Sequence, residues 1–365
     1  MPDKLVKLFS RANGEAPHVP VIAEMAWAHD GRTELARAII DGAAVSGADA
    51  INFHVTYLPD YMTPFYGRGA GPGIVSGGQE VGDVYKYLEK LNLSFDQQAE
   101  LIAYARKHGL LVGLMPNDFP SLKFAGDAKA DVITIHPSCI FDEKFVRGAA
   151  ALKTALMLYT GGLTLGEVDK VLNWAASEGN ERLVLQYGFQ TYPTPIEANR
   201  LSYIGTLKRA FGRPISFADH TDGDDPMAMI IPLLAIAAGA DLVEKHMTHD
   251  RAKKGEDFEA ALDPTGMAVF VKQLRLATKA MGSALVAPLG AAELKYRGVV
   301  RKRAVLAKAG TKGMPLTREL LSYRRSDAGF YPEEVEPLFG NVVLARDAQE
   351  NAAVDWTLLT RNIES

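Results

Sequence analysis

The stretches "FADHTDG" (217–223) and "VEKHMTHDR" (243–251) each set a histidine after a short apolar run and beside an acidic residue. Imidazole and carboxylate together are suitable ligands for a divalent ion such as Mn²⁺, Zn²⁺ or Fe²⁺. His220 and His246 follow consecutive strand-like segments, so in a parallel sheet their rings would converge. Glu24, at the end of the first such segment, would approach across a barrel closure. Any one of these histidines is explained equally well as a loop side chain bonded to backbone; the pair together points to a metal. The remaining strand ends are polar too: His29, Asn52, His54, Asn117, Asp118, His136, Tyr187, Gln190, Tyr192, Asp219, Glu244 and Lys245, with Asp257 a little further on.

What must position them is an alternation of short β-branched runs with longer amphipathic ones from residue 20 to about 282. Strands are expected at 19–26, 48–55, 110–116, 131–136, 154–160, 181–187, 214–219 and 240–246. Helix-like stretches lie between them, as at 31–47, 94–109 and 164–179. Ser94 and Gln97 have capping-box spacing, and Gly47, Gly109, Gly179 and Gly239 fall where helices would end in a left-handed residue. Strands apolar on both faces and joined by helices make a parallel sheet, and eight such repeats fit a closed (β/α)8 TIM barrel, whose C-terminal strand ends surround one mouth. An open doubly wound sheet would call for a glycine-rich first turn, which "EMAWAHDG" is not. The Gly-, Pro- and Tyr-rich stretch 56–93 is expected to be a mobile loop covering the mouth. The expected domains are a catalytic barrel over 1–283, a linker over 284–299 and a small β-rich domain over 300–365.

The chain has 365 residues, 47% of them hydrophobic and 23% charged, with a formal net charge of -4. This slight acidity argues against nucleic acid or an anionic membrane as partner. Cys139 is the single cysteine, the N-terminal stretch is too polar for a signal peptide, and no apolar run is long enough to span a bilayer. A cytoplasmic setting is expected. Cys139 reads as a small hydrophobe, and "GAGPG" (69–73), with no Lys-Ser after it, as a flexible loop and not a phosphate cradle.

Taken in order, the motifs resemble the sialic acid (N-acetylneuraminate) synthase family and its legionaminate and pseudaminate relatives. "VIAEMAWAHDG" is similar to the family's opening Ile-Ala-Glu-Ile-Gly-x-Asn-His-x-Gly, and "GADAINFHV" to its Gly-Ala-Asp-x-x-Lys-Phe-Gln. "TYPTP" (191–195), "ADHTDG" (218–223) and "GADLVEKHMTHDRAKKGEDF" (239–258) follow, and the tail from Arg324 resembles the antifreeze-like (SAF) domain that closes such synthases. The resemblance spans nearly the whole chain. It implies a TIM barrel with a SAF domain, a domain-swapped homodimer, and condensation of phosphoenolpyruvate with an N-acylated aldose to give a 2-keto-3-deoxy nonulosonic acid and phosphate. It also implies a divalent metal on His220 and His246, Mn²⁺ first, with Zn²⁺, Fe²⁺, Mg²⁺ or Co²⁺ as alternatives. Glu24, Tyr192 and Glu244 would complete the catalytic set. Substrate would meet Asn52, His54, Thr134, Tyr159, Gln190, Asp219 and Asp257, with Arg325 reaching from the SAF domain into the partner's barrel to touch the sugar's acyl group.

Several departures from that pattern fall on the donor. Asn52 and Thr134 stand where the family has lysines, Ala218 and Tyr159 where it has serines, His54 where it has glutamine and Gln190 where it has asparagine. Each charge-assisted bond to phosphate is worth roughly 1.5–3 kcal/mol, so two lost lysines would weaken phosphoenolpyruvate by orders of magnitude. Lys245, Arg251, Lys253 or Lys254 could substitute. Otherwise the chain is a metal-dependent lyase or aldolase with another donor, or a non-catalytic carbohydrate-binding paralogue. Trp27, Phe53 and Tyr159 would make the pocket aromatic, suited to stacking on a sugar.

Overall fold

A computed structural model describes residues 18–66, 73–74, 80–81, 83–189, 191, 193–282 and 286–362. The chain divides into two compact units, Met1–Ser283 and Ala284–Ser365. The first holds β1 (Val21–Glu24), β2 (Ala50–Val55), β3 (Leu111–Pro116), β4 (Val132–Ile135), β5 (Ala155–Tyr159), β6 (Leu183–Tyr187), β7 (Ile215–Asp219) and β8 (Leu242–His246). They pair in parallel and close into a barrel as β1 meets β8, in the register Ile22 to Glu244 and Glu24 to His246. Each expected strand is present, shorter by one to four residues.

Helices alternate with the strands because the local signals agree. Ser94 caps the helix Phe95–Lys107 with Gln97 closing a capping box, and Thr164 with Glu167 does the same for Leu165–Ser177. Gly47, Gly109, Gly179 and Gly239 all take positive φ, as the helix-stop reading requires.

Period-two alternation in the strands builds the site. Ile22, Ala50, Leu111, Val132, Ala155, Met157, Val184 and Leu242 form an apolar layer inside the barrel. Two residues further along the same strands come Glu24, Asn52, Gly113, Thr134, Tyr159, Gln186 and Glu244, so the next interior layer is polar. Residues between them, such as Phe53, Phe217 and Val243, belong to the outer core that also takes the helices' apolar faces. Phe53 therefore faces away from the mouth, and the expectation that it lines the pocket is corrected by this alternation. Gly113 is needed where it sits: a Cβ there would lie 2.6 Å from Asn52 Oδ1.

The stretch 56–93 differs from a bare covering loop. It contains the short helix Leu58–Tyr61 and the helix Val84–Leu91, capped by Asp83. Leu58, Val84, Leu88 and Leu91 bury together with Trp27 and Tyr61 packed against them, a satellite core that periodicity over 84–91 would have revealed.

The second unit is β-rich. β9 (Arg303–Leu306) pairs antiparallel with β10 (Leu321–Arg324), and β11 (Val342–Leu344) with β12 (Leu359–Arg361), around Ala304, Leu306, Leu316, Leu320, Val335 and Leu344. The helix Ala291–Val300 occupies most of the stretch expected to be linker. Among the described residues no helix is long and apolar enough to cross a membrane.

Candidate active site

A cavity of about 130 Å³ opens at the C-terminal ends of the barrel strands. Its described lining includes Glu24, Trp27, His54, Tyr61, Asn117, His136, Tyr159, His220, Glu244, His246 and Asp257. Residues far apart in sequence meet here because each ends a strand or begins the loop after it.

The His220 and His246 rings have centroids 5.0 Å apart and planes tilted by 50°. Two imidazoles on one ion at about 2.0–2.1 Å would set their centroids ~5 Å apart at a near-tetrahedral angle, so this spacing fits shared ligation. His220 Nδ1 lies 3.2 Å from the Phe189 carbonyl, to which it can only donate, leaving Nε2 as the basic nitrogen. Burial lowers the pKa of His220 to about 4 and that of His246 well below the ordinary imidazole range. Both rings are thus neutral near pH 7, the form that binds metal. Among the described residues no group of three or more His, Cys, Asp or Glu side chains is placed to hold an ion. A bound ion would take two protein nitrogens here and draw its remaining ligands from substrate or water.

Two carboxyl groups line the same cavity. Glu24 Oε1 accepts from Ala26 N at 2.7 Å and Oε2 from Asn52 Nδ2 at 2.5 Å. Glu244 Oε1 accepts from Gln186 Nε2 at 2.7 Å. Burial raises Glu24 to about 7, against the pull of its hydrogen bonds, and burial followed by the Glu24 charge raises Glu244 further. The Tyr159 hydroxyl, buried beside Glu244, is also raised well above its ordinary value. His54, its Nε2 4.0 Å from Glu24 Oε1, packs edge-on to Trp27 at 5.0 Å and to His136 at 6.0 Å. His54 falls to about 3, by burial and then its imidazole neighbours, and burial takes His136 to about 4.

The structure brings together Glu24, His54, Tyr159, His220, Glu244, His246 and Asp257 of the expected residues. Asn52 and Thr134 are fully buried in the polar layer and do not line the cavity. Asp219 and Lys245 are corrected outright. They share the outward strand face with Phe217 and Val243, and Lys245 Nζ pairs with Asp219 Oδ2 at 2.7 Å with both side chains fully buried. Asp219 cannot meet substrate from there, and Lys245 cannot replace a lost lysine. Arg251 is also committed, to the carbonyl of Phe258 at 2.5 Å and to Asp224 at 2.9 Å. His29 is buried off the cavity, its Nδ1 accepting from Gly31 N. Gln190 and Tyr192 lie outside the described residues. Arg325 is exposed in the second unit. Gln186 and Tyr61 were missed, although a glutamine inside the apolar run "LVLQY" was a legible signal of an inward polar position. Cys139 is buried and donates to the Asn117 carbonyl, as a structural thiol does.

The model of the NeuB family matches residues 39–285, the greater part of the barrel unit. The chain belongs to the NeuB family. Among its relatives within and around this family, N,N'-diacetyllegionaminic acid synthase of Campylobacter jejuni is 28% identical over 324 residues, covering 88% of this chain and 95% of that one. N-acetylneuraminate-9-phosphate synthase of Mus musculus is 25% identical, covering 94% and 92%. The crystal structure of N-acetylneuraminic acid synthetase from Leptospira borgpetersenii superposes with a TM-score of 0.68 at 24% identity, over 80% of this chain and 96% of that one. That likeness concerns the fold alone.

Proposed function

We propose that this NeuB protein is a metal-dependent, carbon–carbon bond-forming transferase that extends an N-acylated aldose at its aldehyde carbon. The observation that carries the reading is the His220–His246 pair, 5.0 Å apart at the barrel mouth and flanked by two buried carboxyl groups. The ion, Mn²⁺ in the first instance, would be held by those two imidazoles and would polarise the aldehyde oxygen as a Lewis acid. The remaining work falls to the chain itself. Glu24, oriented by Ala26 N and Asn52, can hold or release a proton near neutral pH. Glu244, held by Gln186, presents its second oxygen to a sugar hydroxyl, and Trp27 and Tyr61 exclude water from one wall.

With phosphoenolpyruvate, the donor implied by the motif resemblance, the product would be a 2-keto-3-deoxy nonulosonic acid and phosphate, consistent with the legionaminate and sialate synthase names among its relatives. The C-terminal unit would be a SAF domain, exchanged within a cytoplasmic homodimer so that Arg325 reaches the neighbouring copy's sugar. A second reading, an aldolase or lyase with another donor, is favoured by one observation: the described cavity lining contains no lysine or arginine.

Electron paramagnetic resonance titration of Mn²⁺ tests the shared reading, alongside mass spectrometry of reactions with a panel of N-acyl aldoses. Saturable binding to the wild type, lost in His220→Ala and in His246→Ala, is expected. Unchanged Mn²⁺ binding in both variants would remove the metal centre and the function with it.

A further inference from the structure

Asp257, in the loop after β8, is buried and lines the cavity. Its φ is 59, a left-handed conformation that a residue with a Cβ adopts at a cost. Such strain persists only where the surroundings over-determine it. Here they do so from two sides. Tyr87, on the helix Val84–Leu91, donates its hydroxyl to Glu256 Oε2. Asp30, in the loop after β1, accepts from Glu256 N through Oδ1 at 2.9 Å. A Cβ on Gly255 would lie 2.5 Å from Asp30 Oδ2, so the two loops pass closer than a side chain at 255 would allow. From the same β1 loop, Trp27 N donates to Asp257 Oδ2 at 3.4 Å.

The helix that carries Tyr87 is itself fixed. Val84, Leu88 and Leu91 are buried in the satellite core. Just past its end, Asn92 Nδ2 donates to the Thr56 carbonyl at 2.7 Å, and a Cβ on Gly31 would overlap the Lys90 carbonyl oxygen. Glu256 is buried too, and burial followed by the Asp257 charge raises it to about 8. A buried carboxyl group crowded by Asp30 and Asp257 works against stability, so packing does not account for the arrangement.

We propose that Tyr87 and Glu256 are positioning residues, a clamp that holds the strained loop 255–257 inward and fixes the Asp257 side chain against the aldose. This rests on the reading of the mouth as a metal-assisted site for aldose extension. An ionised carboxylate only accepts hydrogen bonds. Held in one place, Asp257 selects an aldose whose hydroxyl or amide N–H groups point at it. The clamp thus acts on acceptor binding, through Asp257, and Tyr87 itself need not touch the sugar.

Urea unfolding and steady-state kinetics test the clamp on the full chain. Asp257→Gly relieves the left-handed strain, whereas Asp257→Ala removes the carboxyl group and keeps the Cβ. Relative to Asp257→Ala, Asp257→Gly should lower the unfolding equilibrium constant about fivefold. That gain should shrink or vanish when Tyr87→Phe is added to both, because an unclamped loop has already relaxed. With Mn²⁺, phosphoenolpyruvate and the panel of N-acyl aldoses, Tyr87→Phe should raise the aldose KM about tenfold and leave kcat and the phosphoenolpyruvate KM near wild type. Glu256→Ala should do the same, and Glu256→Gln, which keeps an oxygen for the Tyr87 hydroxyl, should restore the aldose KM. An equal gain from Asp257→Gly with and without Tyr87→Phe, or an unchanged aldose KM in Tyr87→Phe, overturns the inference. No turnover of any aldose by the wild type would instead remove the functional reading, and the unfolding cycle would then judge the clamp by itself.

Discussion

Lys245→Met tests how the two candidate metal ligands are held. Lys245 and Asp219 sit opposite each other in the β7–β8 register, one residue before His246 and His220 respectively. Their ion pair, 2.7 Å long and fully buried, ties the two strand ends together on the face away from the cavity. Asp219 Oδ1 is already used by Thr221, from N at 3.0 Å and Oγ1 at 2.6 Å, while Oδ2 depends on the ammonium group. Removing that group leaves a carboxylate in a dry layer with half its partners, which costs about 3–5 kcal/mol. Replacing both residues, Lys245→Met with Asp219→Leu, removes the stranded charge and should recover most of the loss. Urea unfolding followed by Trp27 and Trp174 fluorescence, in a Trp356→Phe background, reads the barrel unit alone. A coupling energy of about 3 kcal/mol is expected from the double-mutant cycle. Mn²⁺ affinity should fall in the single variant as the ring spacing loosens and return in the double variant. A single-variant loss below ~1 kcal/mol, or a double variant no better than the single, would refute the view that this pair is a buried clamp under the site.

Three further outcomes follow from local features. Ala26 takes φ 42, a left-handed conformation that disfavours a Cβ, so Ala26→Gly should stabilise the barrel by about 1 kcal/mol in the same unfolding assay. Gly113→Ala should lower stability and shift the near-neutral limb of any pH–activity profile, because the new methyl would press Asn52 against its bond to Glu24. Burial, then the Asp257 charge, raises Glu256 to about 8, so the folded state keeps a proton that the unfolded chain has already lost. Its contribution is whole below pH ~4.5 and disappears as pH rises through about 8, and Glu256→Gln should flatten that fall in pH-dependent denaturation.

Much of the barrel was legible because its signals are local. The glycines at 47, 109, 179 and 239 take the positive φ that a helix stop demands, and Ser94 with Gln97 forms the capping box their spacing announced. The helix Val84–Leu91 was not seen, since the Gly and Pro content before it outweighed the short apolar period of Val84, Leu88 and Leu91. The helix Ala291–Val300 has none of its residues buried, its Leu294, Tyr296, Val299 and Val300 being exposed, so no core packing goes with it.

For the site, the chain order of residue types determined which side chains end strands, and hence that His220, His246 and Glu24 would belong to one mouth. Tertiary structure alone decided which way each side chain turns. Asp219 and His220 are adjacent in sequence, yet one is buried in an ion pair on the outer face and the other lines the cavity. A one-residue step along a pleated strand reverses the side chain, so the strand's register within the barrel separates a structural salt bridge from a candidate metal ligand.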